Sequence, residues 1–164
     1  MRYFTTEWQT AWQFAKNEEE RKKLDKETAR VCREYEKQFD KIKPRFSKKF
    51  ITFYDKHYRF HDSEIKDFTV SRRKGKTVPL VHVMMTLNID GVLYRLKYHA
   101  VSKIEYKADF LNSDIEFMKW REQFDVWMYD EFLPIDSEAI QHDISFLSGS
   151  ELVIACKKVS IEKI

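Results

Sequence analysis

The segment LVHVMMTLNIDGVLYRLKYHAV, residues 80–101, constrains the fold more than any other. Asp90-Gly91 is a two-residue turn of the type that needs positive φ at both positions. It joins two runs rich in β-branched, aromatic and other apolar residues. Pairing Ile89 with Val92 sets the register. Leu87 then faces Tyr94, Met85 faces Leu96, Val83 faces Tyr98 and Val81 faces Ala100. Every pair on that face is apolar or aromatic, and a one-residue slip would turn the whole set to the other side. The opposite face pairs Asn88 with Leu93, Thr86 with Arg95, Met84 with Lys97 and His82 with His99.

A hairpin with one apolar face needs a cover. The first third of the chain supplies helices. Thr6 and Gln9 form a capping-box pair, followed by Trp8, Ala11, Trp12 and Ala15 on one face. Asn17 and Glu20 mark a second start, for a helix from Glu18 to about Lys41. Its stripe of Leu24, Thr28, Val31, Tyr35, Phe39 and Ile42 has spacings of three and four. Acids at its start and lysines near its end suit the helix dipole. Pro44 suits the first turn of a third helix, with Phe46, Phe50, Phe53 and His57 on one face and an end near residues 57–59.

The rest reads as strands. SEIKDFTV begins the β part, and FDVWMYDEF alternates. AIQHDISFLSGSELVIACKKVSIEKI closes the chain as a second hairpin around Ser148-Gly149-Ser150, of open register. Ile140, His142, Ile144 and Phe146 share one face, as do Leu152, Ile154 and Cys156. Ser113 and Glu116 cap an intervening helix near 113–122. The expected fold is α+β: an N-terminal helical hairpin plus a third helix, packed on one antiparallel sheet of five to six strands. Lacking βαβ alternation, the chain is not expected to form a parallel sheet. Its 164 residues fit a single domain, mainly helical over 1–60 and mainly β over 61–164.

The histidines are the natural place to look for chemistry. In HYRFHDSEIKDF, His57 and His61 stand four apart, a metal-ligand spacing if both were helical. The apolar phase breaks after His57, however, so His61-Asp62 falls at a helix-to-strand junction, where Asp62 and Ser63 are turn formers. QHDISF repeats the His-Asp pair. If the two pairs converge, His61, Asp62 and His142 become candidate metal ligands. His82 and His99 form a second candidate pair, opposed across the hairpin in a non-hydrogen-bonded position. The bland alternative is a junction histidine bonded to backbone and two exposed histidines on a strand face. Asp130 and Glu131 are adjacent on a strand, point to opposite faces and do not make a close acid pair.

No Gly-rich phosphate cradle, GxSxG elbow or HExxH is present, and no cofactor is expected. Cys32 and Cys156, without a spaced framework, read as thiols in a reducing cytoplasm. The opening MRYFTTEWQT has no apolar run, and no window approaches the roughly 18 apolar residues of a membrane span. The 30 basic and 27 acidic residues are interleaved, which argues against nucleic acid as partner. The basic runs KPRFSKK and SRRKGK, with Lys48, Lys49, Arg72, Arg73, Lys74 and Lys76, read as solvated.

The stretches Tyr3 to Trp8 (YFTTEW), Phe60 to Ile65 (FHDSEI), Trp127 to Glu131 (WMYDE) and His142 to Phe146 (HDISF) resemble an uncharacterised family from Gram-positive bacteria. The C-terminal half is also similar to small β domains among bacterial toxin-immunity proteins. That resemblance implies action by binding a partner, with His61, Asp62 and His142 as signature positions of unassigned role. The expected function is therefore a non-catalytic, cytoplasmic module that binds another protein. The alternative is a metal-dependent hydrolase built on His61, Asp62 and His142.

Overall fold

The structure, a computed structural model, describes residues 1–5, 8, 11, 15–74, 79–107 and 126–164. The expected Thr6–Gln9 capping box and the helix near 113–122 lie outside the described residues. Helix α1 spans Glu18–Ile42. It starts as its residues dictate: Asn17 Oδ1 accepts the Glu20 N–H at 2.8 Å, and Glu20 Oε2 accepts the Lys16 N–H at 2.8 Å. Only its second half is buried, through Val31, Tyr35, Phe39 and Ile42. A 3₁₀ turn, Lys43–Arg45, carries Pro44. Helix α2, Lys48–Lys56, follows, capped by Ser47 Oγ on the Phe50 N–H at 3.1 Å. Pro44 thus belongs to the 3₁₀ turn, and the third helix starts four residues later.

Eight strands follow among the described residues: β1 (Glu64–Arg73), β2 (Leu80–Ile89), β3 (Val92–His99), β4 (Lys103–Lys107), β5 (Trp127–Pro134), β6 (Ile140–Phe146), β7 (Glu151–Cys156) and β8 (Lys158–Lys163). The β2–β3 register is the one the Asp90-Gly91 turn dictates, from Ile89↔Val92 to His82↔His99. The Val81–Ala100 pair does not form. Ala100 adopts φ 50° and leaves the strand, and Val101 instead donates its N–H to Val81 O at 2.8 Å.

That departure explains the main correction to the expected fold. The strands do not make one sheet of five to six. They make two four-stranded antiparallel sheets, ordered β1-β2-β3-β8 and β4-β7-β6-β5. The chain passes from one sheet to the other at Ala100 and again at Lys157. The two passes lie side by side, with Lys157 N–H donating to His99 O at 3.0 Å and Ser102 N–H to Ala155 O at 2.9 Å. A continuous ribbon, β3-β4 against β8-β7, therefore bends sharply and contributes half to each sheet. The last hairpin pairs Ser145 with Glu151 and Ile144 with Leu152, which settles the register left open in the sequence.

The core is aromatic. Helix α1 lies on β5, where Phe39 stacks on Phe132 and the Tyr35 hydroxyl accepts the Phe132 N–H at 2.8 Å. Helix α2 reaches both sheets: Phe50 and Tyr54 meet Phe132, while Phe53 meets Tyr94 of β3 edge-on. Tyr98, Leu96, Met85 and Val83 on the first sheet are fully buried, as are His142, Ile144 and Ile154 on the second.

Candidate functional site

A chain of hydrogen bonds crosses this core. Tyr98 of β3 places its hydroxyl 2.7 Å from His142 Nδ1 on β6. His142 Nε2 lies 2.7 Å from Asp130 Oδ2 on β5. Tyr54 of α2 donates its hydroxyl to the same oxygen at 2.6 Å, and Trp127 Nε1–H donates to Asp130 Oδ1 at 3.4 Å. One proton arrangement satisfies every atom: Nε2–H, Tyr54 O–H and indole N–H donate to the carboxylate, and Tyr98 O–H donates to Nδ1. Three elements, the two sheets and α2, are thereby bonded through one imidazole and one carboxylate.

Chemically this is the orienting half of a nucleophile–His–Asp arrangement, with a tyrosine where a nucleophile would stand. It is sealed, however. His142 is fully buried and Asp130 nearly so, and Phe132 stacks on the imidazole with centroids 3.7 Å apart. Burial, together with the charge of Asp130, pushes Tyr54 well above the usual phenol range. Burial first, then Cys156 and Asp130, does the same to Tyr98. The Cys156 thiol is pushed up to about 12 by burial, which keeps it from serving as a thiolate. His142 and Asp130 are both shielded from water, and the hydroxyls hold their protons. The arrangement acts as a brace.

The sequence candidates separate in space. His142 sits in this core, bonded to Asp130 of the neighbouring strand rather than to Asp143 beside it. Asp143 Oδ1 instead accepts from Gln141 Nε2 at 2.7 Å, and its Oδ2 lies 3.8 Å from the Met1 amino group. Glu131 faces the same way and accepts the N–H groups of Arg2 and, at 2.8 Å, Tyr3; burial raises its carboxyl. Asp130 and Glu131 do point to opposite faces, and both faces are covered. His61 lies at the surface, with Nδ1 3.1 Å from Asp62 Oδ2 and its ring edge-on to Tyr129. His82 and His99 oppose each other with ring centroids 5.5 Å apart. Among the described residues, no three His, Cys, Asp or Glu side chains gather as a metal-binding group. Of the basic residues, Lys48 and Lys49 lie in the first turn of α2, Arg72 and Arg73 end β1, Lys74 follows it, and Lys76 is outside the described residues.

The junction HYRFHD holds the other unusual geometry. Tyr58, Arg59, Phe60 and Asp62 have φ of 46°, 58°, 63° and 64°. A left-handed run of L-residues costs roughly 1–2 kcal/mol per residue. The fold enforces it at both ends. Phe60 is fully buried against Trp127 and Tyr54. Asp62 N–H donates to Trp127 O and Trp127 N–H to Ser63 O, both at 2.9 Å. Arg59 is ion-paired with Glu36 and lies over the Tyr35 ring at 5.1 Å. Tyr58, at the apex, is 85% exposed.

One signal missed in the sequence was within reach. An imidazole on the apolar face Ile140–His142–Ile144–Phe146 requires a buried polar partner, and Asp130 lies on a neighbouring strand. The left-handed run had no signal, since neither glycine nor asparagine marks it. No protein-family model matches the chain, and no curated protein matches it at a significant level. Among the described residues no helix is long and apolar enough to cross a membrane.

Proposed function

We propose that this protein is a non-catalytic protein-interaction module of the bacterial cytoplasm, immunity-like in acting by binding a partner protein, and that the turn at Tyr58 is its anchor. One observation carries the reading. Tyr58 occupies a left-handed position that glycine would take at lower cost, yet its ring gains almost no burial within the fold, being 85% exposed. Strain without a packing return is commonest at functional positions. An exposed, backbone-rigid tyrosine is also the residue type that most often anchors an interface. The flanking Arg59, Phe60 and Asp62 hold the turn in place before any partner arrives, which lowers the ordering cost of binding. The resemblance to immunity-type β domains supports the same reading, and the unbridged Cys32 and Cys156 support a reducing compartment.

A photo-crosslinking side chain in place of Tyr58, used in extracts of the source cells, tests it. The expected result is one discrete protein adduct, suppressed by excess wild type and unaffected by excess Tyr58→Ala, with no such adduct from the same probe at Ile135. Equal suppression by Tyr58→Ala would overturn the anchor role. Stoichiometric zinc, manganese or iron in the untagged protein, lost in His61→Ala, would replace the reading with a metal-dependent hydrolase.

A further inference from the structure

We propose that His82 and His99, opposed across β2 and β3, form a two-imidazole site for a borderline divalent transition ion: copper(II), nickel(II) or zinc(II). Counting from the Asp90-Gly91 turn, His82↔His99 is a non-hydrogen-bonded pair, the kind whose Cα atoms approach to about 4.5 Å. The ring centroids are 5.5 Å apart and nearly perpendicular, at 82°. An ion bonded to one nitrogen of each ring, at about 2.0–2.1 Å, fits between them once the ring presenting its face turns about its Cβ–Cγ bond.

The surroundings fit that chemistry. His99 Nε2 lies 2.9 Å from Ser160 Oγ on β8. With Nε2–H donating to that oxygen, Nδ1 carries the lone pair, which is how metal-bound histidines are commonly oriented. Calcium and magnesium take oxygen ligands and are disfavoured by a pair of imidazoles. Affinity then follows imidazole bond strength, with copper first and nickel and zinc below it. Both histidines are half-buried, which leaves the remaining coordination positions to solvent. The pair sits at the sheet corner, where Lys157 N–H bonds His99 O. A bound ion therefore clamps β2 to β3 where the ribbon bends, and it stabilises the folded chain by mass action.

The test uses the full untagged chain, titrated calorimetrically with copper(II), nickel(II) and zinc(II) in a non-chelating buffer near neutral pH, with melting curves beside it. The expected result is one copper per chain, a raised Tm, and affinity lost by about tenfold or more in either His82→Asn or His99→Gln, with His61→Asn unchanged. Copper(II) spin resonance of the wild type, which does not depend on how the variants fold, should show two coordinating imidazole nitrogens. A single nitrogen, no saturable binding, or unchanged affinity in His82→Asn and His99→Gln would overturn the site.

Discussion

The hydroxyl of Tyr98 on one sheet lies 2.7 Å from Nδ1 of His142 on the other. Through Asp130, the same imidazole is tied to Tyr54 on α2. Since each of these atoms is out of water, each loses more by being left alone than it gains by being paired. Tyr98→Phe removes the donor to Nδ1 and is expected to cost about 1–3 kcal/mol. Asp130→Ala should cost more, because it strands the donors of Tyr54, His142 and Trp127 together. Urea unfolding midpoints check the order.

The phenols of Tyr54 and Tyr98 stay protonated in the folded chain, since burial raises both. A group whose folded value lies above its unfolded one contributes stability that is complete below the unfolded value, about pH 10 for tyrosine. That contribution is lost as pH rises through the folded value. Absorbance at the phenolate band, read beside circular dichroism, checks this. Tyr54 and Tyr98 should ionise only in step with the loss of circular dichroism at higher pH.

Tyr58→Gly relieves a left-handed L-residue whose ring is exposed. Glycine's extra freedom in the unfolded chain offsets part of the gain. The net is expected to be a stabilisation of up to about 1 kcal/mol, seen as a raised Tm, together with failure of the variant, added in excess, to suppress the partner adduct. Arg59→Gly, which removes the ion pair with Glu36 and the contact with Tyr35, should not stabilise.

How far the sequence spoke depended on local chemistry. Asp90-Gly91 carries its own backbone requirement, so the β2–β3 register follows from the residues alone. Asn17 and the spacing of Val31, Tyr35, Phe39 and Ile42 likewise act within a few residues. The second sheet was hidden because the chain turns at Ala100 and Lys157, where neither glycine nor proline marks the bend. Strand β4, KIEYK, alternates in sequence, but it is only five residues long and is exposed along its whole length, so its pattern marks no buried face. His142 was visible as a candidate, but its partner was not: the carboxylate it needs arrives from β5 through tertiary pairing, while its sequence neighbour Asp143 faces the other way.

Cysteine reactivity should divide along the same lines of burial. Cys156 is buried, and its thiol is pushed up to about 12, whereas Cys32 is half-buried on α1. Iodoacetamide at mildly alkaline pH is expected to label Cys32 in the folded chain and Cys156 only after unfolding. Mass spectrometry of the peptides distinguishes the two.

Whether the His142–Asp130 pair is a sealed brace or a reachable catalytic pair is tested most directly by acylating the histidines of the folded protein with diethyl pyrocarbonate and mapping the adducts. The half-exposed His57, His61, His82 and His99 should be modified, and His142 should react only once urea unfolds the chain. Modification of His142 in the folded protein at the rate of His61 would mean that solvent reaches the pair, and would contradict a non-catalytic core.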